Sequence, residues 1–132
     1  MSETAAGDSA DTRRVIIADD SDDMRALVRL VLLTASYTVV CEAPDGDVAV
    51  RCWEQHRSPE LFAVVLDQRM PGLTGLEVAE RILRDDPDQR VILFSAGLTD
   101  EIRRQAEAIG VTACLTKDEV MELPTHAAMR EG

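Results

Sequence analysis

An adjacent pair of acids, Asp19-Asp20, closes the apolar run Val15-Ile16-Ile17-Ala18, and Asp67 closes the run Leu61-Phe62-Ala63-Val64-Val65-Leu66. Ser95 follows Val91-Ile92-Leu93-Phe94, and Lys117 follows Val111-Thr112-Ala113-Cys114-Leu115 closely. If one fold gathers these run ends, three carboxylates repel one another unless a cation sits among them. A hard ion such as Mg²⁺ takes one or two carboxylates and keeps positions for water and a phosphoryl oxygen. A hydroxyl and an ammonium beside that cluster suit a phosphoryl group, supplying one hydrogen-bond donor and one charge. Each position also has an ordinary use. Asp19 and Asp20 suit a helix start, and Ser95 a turn or cap. Lys117 suits any surface, but it is the only lysine beside thirteen arginines, which hints at a need for a compact point charge. Asp67 resists such a use better, because the next helix begins near Thr74, too far along for Asp67 to cap it.

The elements that must position these residues alternate. Five β-branched-rich runs, the four above and Thr38-Val39-Val40-Cys41, are mostly continuous, as strands covered on both faces are. Between them lie helical patterns. A first helix over about 21–35 turns Met24, Leu27, Val28, Val31 and Ala35 inward. A second begins near Asp45-Gly46 and ends before Ser58-Pro59. A third opens on the capping box Thr74-Gly75-Leu76-Glu77 and stops at Asp85-Asp86-Pro87. A fourth starts at Thr99-Asp100-Glu101 and ends at Gly110. After Asp118, Pro124 leaves two short helical pieces at best. Strict alternation with short connections implies a five-stranded parallel sheet, doubly wound, in the flavodoxin-like order 2-1-3-4-5 with a short or broken last helix. In that order strands 1 and 3 are neighbours, and the crevice beyond their carboxyl ends is where open α/β sheets bind ligands.

A chain of 132 residues fits one domain. Residues 1–12 read as a disordered tail and 13–132 as the domain. Twenty-five acids against fourteen bases give a net charge of −11, which argues against direct nucleic-acid or anionic-membrane partners. No apolar run approaches the length of a membrane span and the start lacks a signal-peptide pattern, so a cytoplasmic location is expected. Cys41, Cys52 and Cys114 are odd in number with no CxxC pair, which indicates neither a disulfide framework nor a zinc site. They read as small buried hydrophobes.

Taken together, Ile17-Ala18-Asp19-Asp20, the loop Asp67-Gln68-Arg69-Met70-Pro71-Gly72-Leu73-Thr74-Gly75, Ser95-Ala96 and Lys117 make the chain resemble the receiver domain of two-component response regulators, from about Arg14 to Lys117. The resemblance implies that Asp67 accepts a phosphoryl group from a sensor histidine kinase or phosphotransfer protein. It implies a Mg²⁺ ion held by Asp20, by Asp19 through water, by Asp67 and by the backbone carbonyl of Arg69. It also implies that Lys117 pairs with a phosphoryl oxygen and that Ser95 moves toward the phosphoryl on activation. Such a protein is a regulator rather than an enzyme, dephosphorylates itself slowly, and signals to an output protein whose identity is unknown. Two positions depart from the family pattern. Cys114 stands where receivers usually carry a Tyr or Phe, and Asp118 where a Pro commonly follows the lysine.

The departures bear on output. Cys114 is too small to sweep between buried and exposed positions, so switching is expected in the loop from Ser95 to Asp100, where Gly97 permits backbone change. Three other readings compete. The chain could be a receiver fragment of a larger regulator. A Mg²⁺-dependent phosphohydrolase with Asp67 as nucleophile would need an additional acid or base at a strand end. A flavodoxin-like carrier would need a phosphate cradle where the first turn instead carries acids.

Overall fold

The computed structural model describes residues 13–128; the expected tail, residues 1–12, lies outside them. Strand β1 (Arg13–Ala18) leads to helix α1 (Asp22–Thr34), β2 (Tyr37–Ala43), α2 (Gly46–His56), β3 (Leu61–Leu66) and α3 (Gly75–Asp85). Strand β4 (Arg90–Ser95), α4 (Asp100–Ile109) and β5 (Ala113–Thr116) follow, then a 3₁₀ turn (Lys117–Glu122) and α5 (Leu123–Ala128). All strand pairings are parallel, in the order β2-β1-β3-β4-β5. The alternation of continuous apolar runs with amphipathic helices is thus realised as the doubly wound sheet that it implies.

Each central strand divides its side chains between two cores. Ile16, Ala18, Val64, Leu66, Val91 and Leu93 pack with Trp53, Val78, Ala79 and Ile82 from α2 and α3. Val15, Ile17, Ala63, Val65, Ile92 and Phe94 pack with Val28 and Leu32 of α1 and Leu123 and Ala127 of α5. Burial on both faces is why these runs show no polar alternation. Helix α1 turns Val28, Val31 and Leu32 inward, whereas Leu27, expected inside, is 40% exposed. Ala35, also expected inside, is exposed at the helix end. Pro124 lies in the first turn of α5, where a missing N–H costs nothing, and its carbonyl accepts the Tyr37 hydroxyl at 2.9 Å. No helix among the described residues is long and apolar enough to cross a membrane.

The edge of the sheet corrects the cysteine reading: Cys41 and Cys52 form a disulfide, with Cα atoms 6.0 Å apart. The register explains it. Val15 pairs with Val39 but Ile16 pairs with Cys41, so β2 carries one extra residue. Val40 and Cys41 consequently both face the α2–α3 core, while Val39 packs on the opposite one. The bulge brings Cys41 under α2, where Cys52 is 3% exposed. No spacing rule along the chain could register this pairing. Cys114 is the one free cysteine among the described residues; it is half-buried, and burial pushes its thiol up.

Candidate functional site

Main-chain bonds beyond the strand ends place the acids side by side. The Asp19 N–H donates to the Ala43 carbonyl at 3.0 Å, and the Asp67 N–H to the Ala18 carbonyl at 2.9 Å. Asp19 is 3% exposed, Asp67 6%, and Asp20 faces solvent. One carboxylate oxygen from each of the three lies within 4.8 Å of the others. Three hard oxygens so gathered, two of them on nearly buried groups, fit a Mg²⁺-type ion in donor chemistry.

Helix capping does not account for Asp19. Ser21 is the N-cap of α1, its hydroxyl accepting the Met24 N–H at 3.1 Å. Asp19 instead accepts the Ser21 N–H at 2.9 Å on one oxygen and takes the Lys117 ammonium at 2.7 Å on the other. The same ammonium lies 3.8 Å from Asp67. With its side chain 18% exposed and its partner 98 residues away in sequence, Lys117 is no surface charge. Ser95 is 1% exposed at the end of β4, and its hydroxyl hydrogen-bonds the Asp67 carboxylate.

Desolvation raises the proton affinity of Asp67, and the Asp19 charge adds to it. Lys117, the Arg69 N–H (3.5 Å from the carboxylate) and Ser95 oppose that shift. Burial and the Asp19 charge thus make ionisation of Asp67 costlier than in water, and the donors around it offset part of that cost.

The loop after Asp67 is braced at several points. The Gln68 side chain accepts the Leu76 N–H at 2.9 Å and its carbonyl accepts the Gly75 N–H at 3.1 Å. A Cβ on Gly75 would stand 2.4 Å from the Asp67 carbonyl oxygen, so the glycine is required by that approach. Thr74 and Glu77 complete the expected capping box. The Pro71 carbonyl accepts the Gly46 N–H, fastening the loop to the start of α2. The Arg69 side chain lies over Gly97, with its guanidinium 2.9 Å from where a Cβ there would be. Asp20, Arg69, Gly97 and Thr99 line an open cleft beside the acids.

Two contributors escaped the sequence reading. Arg25 donates to the Asp19 carbonyl oxygen at 2.6 Å and pairs with Glu42 at 3.3 Å and with Asp22. Glu42 also holds Arg29 at 2.5 Å, and this hydrogen bond, with the cationic charges of Arg29 and Arg25, keeps its carboxyl below the usual range. The Asp22–Arg25 spacing of a helix pair is visible in the sequence, but a contact to a strand-end carbonyl is not.

Residues 15–127 match the family model described as the response regulator receiver domain. Over 92 residues the chain is 39% identical to the protein-glutamate methylesterase/protein-glutamine glutaminase of Haloarcula marismortui, covering 70% of this chain and 24% of that protein. It is 35% identical over 83 residues to the chemotaxis protein CheY of Bacillus subtilis, 63% of this chain and 67% of CheY. The chain thus spans about a quarter of the methylesterase and two thirds of CheY. The solved signal receiver domain of the response regulator NarL from Mycobacterium tuberculosis superposes with a TM-score of 0.77 at 32% identity, covering 89% of this chain and 98% of that one.

Proposed function

The chain belongs to the response-regulator receiver family, and we propose that it is a phosphorylation-operated switch with Asp67 as its acceptor. The observation that carries this is Asp67 itself: nearly buried, within reach of the Lys117 ammonium and the Ser95 hydroxyl, and flanked by two further carboxylates. A carboxylate oxygen of Asp67 attacks the phosphorus of a phosphohistidine on a sensor histidine kinase or phosphotransfer protein. The P–N bond breaks, the imidazole departs, and an acyl phosphate forms on Asp67. Asp19, Asp20, Asp67 and the backbone carbonyl of Arg69 are the residues that would hold Mg²⁺, which supplies positive charge for the phosphoryl oxygens. Lys117 is positioned to exchange its weaker contact with Asp67 for a phosphoryl oxygen while keeping Asp19.

Output follows from Ser95. Its hydroxyl donates to the carboxylate before transfer and to the phosphoryl after it, which draws the Ser95–Asp100 loop and the start of α4 with it. The output partner is a protein that reads this loop and α4. We place the domain at residues 13–132, of which 129–132 lie outside the described residues, and a cytoplasmic location accords with a kinase donor. The phosphohydrolase reading gains no support: the groups acting on Asp67 are Asp19, Lys117, Ser95 and the Arg69 N–H, and Asp19 has both oxygens engaged. A receiver carried within a longer regulator would use the same chemistry.

Intact-mass analysis after incubation with acetyl phosphate tests the proposal. One labile phosphoryl group is expected with Mg²⁺ and none with EDTA. Equal labelling in EDTA would remove the metal from the account, and sustained phosphate release far beyond one equivalent would favour the hydrolase.

A further inference from the structure

The β2 bulge that brings Cys41 to Cys52 also turns the next residue, Glu42, to the opposite face of the sheet, where it meets Arg25 and Arg29 of α1. Arg25 in turn donates to the Asp19 carbonyl oxygen, and the Asp19 N–H donates to Ala43, the residue after Glu42. Adjacent residues of one strand are thus tied on one side to α2 by a covalent bond and on the other to the acid cluster by an ion pair and two hydrogen bonds. Intracellular disulfides are rare and, where they occur, are commonly transient and redox-sensing.

We propose that Cys41 and Cys52 are a reversible redox site that sets how firmly Asp19 is held for metal binding. Oxidation proceeds by exchange with a low-molecular-weight or protein disulfide. The Cys41 thiolate, half-buried where Cys52 is almost fully so, attacks one sulfur of the donor and expels a thiolate, forming a mixed disulfide. The Cys52 thiolate then attacks the Cys41 sulfur and expels the second donor thiolate. The protein pair loses two protons and two electrons, and the donor disulfide becomes two thiols. Reduction by a dithiol reverses both steps. Once the bond is open, the bulged segment loses its tether to α2, and Glu42 holds Arg25 against the Asp19 carbonyl less tightly. A group that orients a ligand in this way tunes the metal without touching it. Cys114, the remaining thiol, lies on β5 across the sheet and serves as an internal reference.

The redox half of the proposal stands alone, whereas the coupling half rests on Asp19 being a metal ligand, so two readouts are needed. Alkylation of the denatured protein counts thiols: one is expected after oxidised glutathione and three after dithiothreitol. Three thiols after both treatments would overturn the redox site. Calorimetric titration with Mg²⁺ then compares the two forms, and the reduced form should bind at least about threefold more weakly. Glu42→Gln, which leaves both cysteines in place, should abolish that difference, as should Cys41→Ala with Cys52→Ala. Equal Mg²⁺ affinity in both redox forms, with binding itself intact, would overturn the coupling. A difference that survives in Glu42→Gln would overturn the route through Arg25. Absence of Mg²⁺ binding in either form would instead count against the reading of the acid cluster, and the thiol count would still decide the redox site.

Discussion

Replacing Asp67 by Asn should stabilise the metal-free protein, although it destroys the proposed acceptor. At an effective dielectric constant of about 20, Lys117 at 3.8 Å attracts the Asp67 carboxylate by about 4 kcal/mol. Asp19, within 4.8 Å, repels it by about 3.5 kcal/mol. The two nearly cancel, and desolvation, the largest influence on Asp67, is left only partly offset by Ser95 and the Arg69 N–H. Asn keeps the shape without the charge. We expect a gain of about 1–2 kcal/mol at neutral pH in EDTA, or roughly 4–7 °C in melting temperature for a domain of this size. The pH dependence follows from the direction of the shift. Folded Asp67 holds its proton more tightly than the unfolded chain, so its ionised form costs stability above the folded pKa. That cost vanishes once pH falls below the unfolded value, about 3.9. The advantage of Asn must therefore shrink on acidification and level off on the alkaline side. Saturating Mg²⁺ should reverse the ranking, since a ligand at a hundred times its dissociation constant adds about 2.7 kcal/mol to the protein that binds it. Thermal denaturation of both proteins across pH, in EDTA and in Mg²⁺, gives all of these values. An Asn variant less stable in EDTA, or an advantage that grows in acid, would refute the reasoning.

Gly75→Ala should cost about 2–3 kcal/mol in chemical denaturation, because its Cβ would meet the Asp67 carbonyl oxygen at 2.4 Å and the backbone must move. It should also slow phosphorylation by displacing Asp67. Glu42→Gln should lower the melting temperature above about pH 5, by an amount that declines steadily on acidification: a carboxyl held below its ordinary range contributes stability that is present above the unfolded pKa and lost as pH falls through the folded one. Arg69→Ala should change the rate of dephosphorylation several-fold, about 1 kcal/mol in barrier. Gly97→Ala, which displaces the same guanidinium, should shift that rate in the same direction, and the double variant should show no additive effect; phosphate-release kinetics measure all three.

How far the sequence could be read depended on whether a contact follows the chain or crosses it. Strand runs, caps and the order of the sheet are local or topological. The ends of β1, β3, β4 and β5 were therefore expected at one crevice, and Asp19, Asp67, Ser95 and Lys117 do meet there. Leu27 lies outside the inward face of α1 because the helix carries a second apolar stripe, Leu27, Leu30 and Leu33, which stays exposed while packing buries the one through Val28 and Leu32. Strand β5 begins at Ala113 rather than Val111. The Val111 N–H closes the end of α4, and Thr112 bonds Val91 through both its N–H and its hydroxyl before regular pairing starts. The bulge at Val40 leaves no mark in a run of β-branched residues. Without it neither the disulfide nor the Glu42–Arg25–Asp19 chain of contacts could be placed.

The most direct test of the account is to locate the phosphoryl group. Reducing the acetyl-phosphate-treated protein with borohydride converts an aspartyl phosphate to homoserine, which peptide mass spectrometry places in the sequence. The account predicts homoserine in place of Asp67 alone, formed with Mg²⁺ and absent in EDTA. Homoserine in place of Asp19 or Asp20, or a phosphoryl group on a hydroxyl that borohydride leaves untouched, would contradict it.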